Sequence, residues 1–304
     1  MNKNHLYRWL LTAALITGGL WYFIGQDHHY QITFKTKQPP GVVFDHVRAW
    51  PIFGKAQGLQ VTNKDMKAFS ALTQELLVND SIIKVNWQFK RLNDSVTKVT
   101  SYYEDVAHPL KQKFLAPFGR NDFVKRALNS TSSVAQQLIK KSENFRVQSI
   151  SDTILPEKFC AYVPVTVRSA QKAQGMMAQI ATVMDYINTH ELPLKGDPFI
   201  TVTHWDQQNQ VLQFDFCFPI DPSENYPQDP NVLFKKVPSQ KYLMTTFKGN
   251  YRISQQGWFY LLDYAQNHDL ELAPYPTEVY LNDPHSGGES LDWSSLILFP
   301  IMTP

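Results

Sequence analysis

Glu278 lies in the segment PTEVY, with Tyr280 two positions further on and Val279 between them. In an extended strand alternate side chains share a face, so this spacing turns a carboxylate and a phenol the same way. Such a pair can select a positive charge. If burial raised the carboxyl pKa, it could also position or deprotonate water. Trp205, Phe216 and Tyr162 fall in other strand-like runs, where they could wall a cleft with aromatic surface suited to a flat or cationic ligand. The same residues admit a second reading, in which Glu278 faces solvent at a sheet edge and the aromatics fill a core.

Other chemistries find little support. The histidines, among them His28, His29, His108, His190, His204, His268 and His285, make no HExxH or other compact ligand pattern, so no metal and no cofactor is expected. His204 and Asp206 are close in sequence, but in a segment that reads as a solvated loop. No G-x-S-x-G elbow occurs, Ser286-Gly287-Gly288 reads as loop, and there is neither a P-loop nor a G-x-G-x-x-G. No catalytic residue is assigned. Cys160 and Cys217, the only 2 cysteines, are too few for a disulfide framework or a four-thiolate zinc site. They read as core thiols, with a single disulfide between them the alternative in an oxidising compartment.

The elements that must position these residues follow from periodicity. Within 304 residues, 43% are hydrophobic and 18% charged, which suits two packed domains and excludes a disordered chain. A net charge of +2 gives no field for a polyanion, and no nucleic-acid partner is expected. Residues 31–36 alternate as a strand, 42–49 suit a short helix ended by Pro51, and 69–77, 82–92 and 96–103 read as a meander with a turn at Asn93-Asp94-Ser95. From Phe123 to Ile139 the period becomes helical, with Asn121 or Asp122 as cap. The basic face of that helix reads as solvated, an acidic membrane surface being the other reading. This completes a domain over residues 30–142.

Residues 143–304 then read as a duplicated pattern. Strand 159–167, a helix capped by Ser169 with a stripe from Met176 to Ile187, and strands 199–204 and 211–219 form one half. Strand 242–251, a helix capped by Ser254 and carrying Trp258, and strands 277–281 and 295–301 form the other, with a spare strand at 232–237 between them. The fold class is α+β.

Residues 6–25 (LYRWLLTAALITGGLWYFIG) carry Arg8 as their only charge and are long enough to cross a bilayer as a helix. Lys3 and Arg8 precede the run, which predicts a cytoplasmic N-terminus and an exported body, and no small-x-small cleavage signal follows it. The expectation is an uncleaved single-pass anchor over residues 1–29 in the cytoplasmic membrane, with membrane lipid as its partner. A removed signal sequence is the competing reading.

Residues 145–304 resemble the GyrI-like small-molecule-binding domain, the effector-binding domain of AraC- and MerR-type regulators. The resemblance rests on the order of elements and on LQFDFCFP (212–219), KGNY (248–251), WFYLLDY (258–264), PTEVY (276–280), Asn282-Asp283-Pro284 and LILFP (296–300). It implies that Glu278 lies in a cleft between two pseudo-repeats and meets cationic aromatic compounds, with Tyr280, Trp205 and Phe216 as weaker correspondences. Residues 31–142 resemble the helix-grip fold of the START and polyketide-cyclase group, which transfers no catalytic residue. Glu104 could enter such a cavity or end an exposed strand. Because this module stands where a helix-turn-helix would be expected, DNA binding is not implied.

Together these readings predict a membrane-anchored protein of the bacterial envelope, more a binder or sensor of an amphiphilic or cationic aromatic small molecule than an enzyme. The alternatives are a GyrI-like hydrolase acting on a strained electrophile and a non-catalytic envelope scaffold. No protein partner is indicated.

Overall fold

The computed structural model describes residues 3–78, 81–119, 121–223, 225–283 and 287–302. The chain divides into two compact units, one made of Met1–Thr36, Val43–Lys90 and Thr97–Leu138, the other of Lys37–Val42, Arg91–Val96 and Ile139–Pro304.

The first unit begins with helix α1 (Lys3–Ile24). Its 22 residues rise about 33 Å, enough for a bilayer core, but its apolarity falls short. Arg8, Thr12, Thr17, the pair Gly18-Gly19 and amphipathic Trp and Tyr residues dilute the run. No helix among the described residues is long and apolar enough to cross a membrane. That finding overturns the single-pass anchor, and with it the transmembrane part of the fold class, the membrane-anchored function, the lipid partner and the single-pass localisation with its exported body. The end of α1 instead packs on α4 (Pro109–Leu115), where Tyr22 donates to the Lys113 carbonyl at 2.9 Å and the Phe23 and Phe114 rings lie 4.9 Å apart.

Between these helices lie β1 (Tyr30–Thr36), α2 (Pro40–Arg48), α3 (Trp50–Lys55), β2 (Gln60–Lys67), β3 (Ala71–Val78), β4 (Ser81–Asn93) and β5 (Val96–Asp105), followed by α5 (Asp122–Glu143) after α4. The strands form an antiparallel sheet in the order β1-β5-β4-β3-β2. Alternation sets the buried face of β4, where Ile83, Val85, Trp87 and Phe89 are buried between exposed or half-buried neighbours. Asn121 caps α5 by accepting from the Val124 N–H at 2.8 Å, and Phe123, Val124, Ala127, Val134 and Leu138 form its buried stripe. β2 carries little apolar periodicity because it is an edge strand with only Val61 buried.

The second unit contains β6 (Phe145–Val147), β7 (Ser151–Leu155), β8 (Lys158–Arg168), α6 (Lys172–Thr189), β9 (Phe199–Asp206), β10 (Val211–Pro219), β11 (Leu233–Val237), β12 (Gln240–Gly249), α7 (Gln256–Asn267), β13 (Thr277–Tyr280) and β14 (Ser294–Pro300). They build a 9-stranded sheet in the order β11-β8-β10-β9-β13-β14-β12-β6, with β7 also paired to β12. Read outward from the β9–β13 junction, β9-β10-β8 on one side mirrors β13-β14-β12 on the other, so β8-α6-β9-β10 and β12-α7-β13-β14 are equivalent halves.

Short 3-10 turns, Ser169–Gln171 and Tyr251–Ile253, lead into α6 and α7. Neither Ser169 nor Ser254 is the N-cap of its helix, since Gln171 and Gln255 stand at those positions and neither caps with its side chain. Three residues past Lys172 and Ser254 come Gly175 and Gly257, where the helices lie close against side chains of the sheet. A Cβ on Gly175 would lie 2.8 Å from Val167, and one on Gly257 2.9 Å from Ile297.

Candidate functional site

β13 is a central strand, paired to β9 through Glu278↔Ile200 and to β14 through Glu278↔Ile297. Glu278 therefore is not at a sheet edge, and its side chain is fully buried at 0% exposure. Strand alternation places Glu278 and Tyr280 on the face covered by α6 and α7, and Val279 on the other face with Cys160, Phe199, Cys217 and Leu298.

A carboxylate offers about four acceptor positions, and each oxygen here receives two donors. Oε1 accepts from Lys172 Nζ at 2.5 Å and from the Trp258 indole N–H at 2.5 Å. Oε2 accepts from the Ser254 hydroxyl at 2.7 Å and from the Tyr280 phenol at 2.8 Å. Lys172 also donates to Ser254 Oγ at 2.5 Å, and its ammonium stands 5.2 Å from the centre of the Trp258 ring. All five residues are nearly inaccessible, from 0% for Glu278 and Ser254 to 4% for Tyr280. The two 3-10 junctions explain the convergence, because Lys172 and Ser254 end the equivalent turns of the two halves and both reach the middle of the sheet.

Electrostatically the cluster is a buried ion pair surrounded by hydrogen bonds. Burial pushes the Lys172 pKa below the ordinary lysine value, and the neighbouring Glu278 charge opposes that shift. Burial and the same carboxylate push the Tyr280 phenol well up, so it remains a proton donor.

Of the residues predicted from sequence, Tyr280 touches Glu278 directly. Trp205 is half-buried and reaches the cluster through Trp258, whose ring it meets edge-on at 5.0 Å. Phe216 lies on the same face in the row Phe216↔Ile200↔Glu278, packed against Phe218 at 4.8 Å, and belongs to the core. Tyr162 is not brought to the site. It packs with the Cys160, Cys217 and Val279 cluster on the opposite face, where Lys235 Nζ stands 4.9 Å from its ring centre. Cys160 and Cys217 are both buried and free. Pro284, His285 and Ser286 lie outside the described residues. Among the described residues no group of three or more His, Cys, Asp or Glu is placed to hold a metal.

Lys172, Ser254 and Trp258 were missed as site residues. The signal available was the repeat itself, since the spacing from Lys172 to Gly175 recurs from Ser254 to Gly257 on corresponding helices.

The fold and site thus define an α+β domain of two pseudo-repeats whose central strand presents a buried carboxylate to both helices. Residues 155–302 match the family described as the GyrI-like small molecule binding domain. Similar solved structures include the EcmrR C-terminal domain, at 17% identity and a TM-score of 0.45, with 51% of this chain and 98% of that one covered. SAV2435 bound to tetraphenylphosphonium aligns at 14% identity and a TM-score of 0.38 over 51% of this chain and 94% of that one. A hydrolase from Listeria innocua aligns at 12% identity and a TM-score of 0.33 over 54% and 97% of the respective chains. No curated protein matches the chain.

Proposed function

We propose that residues 143–304 form a non-catalytic module that binds or senses a small amphiphilic molecule on the face covered by α6 and α7. The family match over residues 155–302 supports small-molecule binding. The observation that carries the placement is the aromatic path from half-buried Trp205 through Trp258 to the Glu278 carboxylate. The half-buried Trp205 ring at its outer end offers aromatic contact area to an amphiphile, while Trp258 and Glu278 lie buried beneath it. A non-catalytic role fits the carboxylate, whose acceptor positions are filled by Lys172, Trp258, Ser254 and Tyr280, leaving it poorly placed to take a proton from water.

One observation favours the hydrolase alternative. Ser254 Oγ donates to Glu278 Oε2 at 2.7 Å and accepts from the Lys172 ammonium at 2.5 Å, so the carboxylate is the group that could take its proton for nucleophilic attack. Calorimetric screening of amphiphiles against the full chain, with product analysis of the same mixtures, tests both readings. Stoichiometric binding weakened by Trp205→Ala, without product, is expected. Product formation that Ser254→Ala abolishes would replace the binding reading, and absence of both would leave a scaffold.

For residues 30–142 we propose a helix-grip module of the START and polyketide-cyclase kind. Its support is the succession of β1, two short helices, four further antiparallel strands and the long α5.

A further inference from the structure

The donors and acceptors around Lys172 make a complete receptor for a primary ammonium. Its Nζ has a carboxylate oxygen of Glu278 at 2.5 Å, the hydroxyl oxygen of Ser254 at 2.5 Å and the Trp258 ring centre at 5.2 Å. A full negative charge, a neutral acceptor and a π face are the three kinds of partner that an ammonium takes up in a desolvated site. The side chain filling this receptor is 1% exposed, and it reaches the carboxylate from the other pseudo-repeat, 106 residues away in sequence.

Glu278 contributes one negative charge and Lys172 one positive charge, while Tyr280 stays protonated because burial raises its pKa. A second cation brought against the carboxylate would meet the Lys172 ammonium in a water-poor interior, where like charges repel far more strongly than in solvent. An uncharged ligand meets no such barrier.

We infer that Lys172 is the resident ligand of an ammonium receptor built from Glu278, Ser254 and Trp258, so that the module takes uncharged amphiphiles and admits a cation at Glu278 only when Lys172 is removed. The ligand class rests on the binding function proposed above. The occupancy of the receptor by Lys172 rests on the geometry alone.

Lys172→Ala in the full chain empties the receptor and leaves the carboxylate without its cation, and n-propylammonium chloride is close to the deleted part of the side chain. The expected result is a saturable rise in the melting temperature of Lys172→Ala with n-propylammonium, about 4 °C or more at concentrations well above the dissociation constant. No comparable rise should occur with n-propanol, in the native chain, or in Lys172→Ala/Glu278→Gln, which has neither charge. Should Lys172→Ala fail to fold, the reading becomes recovery of its circular dichroism by the amine, with the double variant reporting whether the position tolerates truncation. Absence of rescue, or equal rescue by n-propanol, overturns the inference. Tetraphenylphosphonium binding to the native chain that Glu278→Gln abolishes overturns the exclusion of cations. Amine rescue with no neutral amphiphile bound by the native chain would remove the proposed ligand class and function while leaving the resident-cation assignment in place.

Discussion

Glu278→Gln preserves the outline of the side chain and deletes its charge, leaving the Lys172 ammonium buried without a counter-ion. Breaking a buried pair from one side costs about 3–5 kcal/mol, so urea unfolding should show a large loss of stability as well as any change in recognition. Tyr280→Phe removes one neutral donor from the same carboxylate and should cost about 1–2 kcal/mol in the same assay. The Glu278 and Tyr280 relationship was legible in sequence because a period of two is enough to put them on one face. Lys172 was not, because a lysine in sequence reads as solvent-facing by default, and its partner is 106 residues away. Ser254 was misread for a local reason. A serine ahead of an apolar helical stripe looks like an N-cap, whereas this hydroxyl ends a 3-10 turn and donates to Glu278.

At the scale of elements, the pseudo-repeat was readable from the recurrence of strand, helix and two strands, since each strand has alternating apolar positions and each helix a stripe. The short strands β6 and β7 and the polar edge strand β2 were not, because three to eight residues with few buried positions leave little period to detect. The repeat makes a matched prediction at its glycines. Alanine normally favours a helix by about 1 kcal/mol over glycine, yet a Cβ at Gly175 or Gly257 would press to within 3.0 Å of valine or isoleucine side chains on the sheet. Both Gly175→Ala and Gly257→Ala should therefore destabilise, by about 1–3 kcal/mol in urea unfolding. A pH dependence belongs to the join between β1 and β5. His29 Nδ1 accepts the Asp105 N–H at 3.1 Å, which only the neutral ring can do. Burial first, then Lys113 and His28, lower its pKa, with Asp105 opposing. In the unfolded chain His29 keeps its ordinary affinity, so it takes up a proton more readily there than in the fold. The contribution is full above about pH 6.5 and is lost as pH falls through the ordinary value toward the lowered folded one. Thermal unfolding between pH 7.5 and 5 should show this decline, and His29→Gln should flatten it.

At the scale of the whole chain, the second unit is discontinuous in sequence. The second unit includes residues 37–42 and 91–96 besides its C-terminal body. Within it, Asp263 is 2% exposed and accepts from Arg91 and from the Ser95 N–H, the latter at 2.8 Å. A fragment of residues 143–304 lacks both donors, so it should unfold at a lower temperature than the second unit does in the full chain, and Asp263→Asn should recover part of the loss in the fragment. Residues 6–25 teach a related lesson about reading by length. The run was correctly helical and sufficiently long, but its arginine, threonines and paired glycines count against crossing a membrane, and few charges alone did not make it apolar enough. Beside the strand pairing of β9 with β13, Lys172 of one half and Glu278 of the other form a buried pair across the two halves of the second unit. A double-mutant cycle of Lys172→Met and Glu278→Gln, followed by urea unfolding of the full chain, tests that pairing most directly. The expected result is strong coupling, with the double variant more stable than either single variant, which requires a coupling energy above the cost of the single variants, about 3–5 kcal/mol or more. Losses that add, leaving the double variant the least stable of the three, would contradict it.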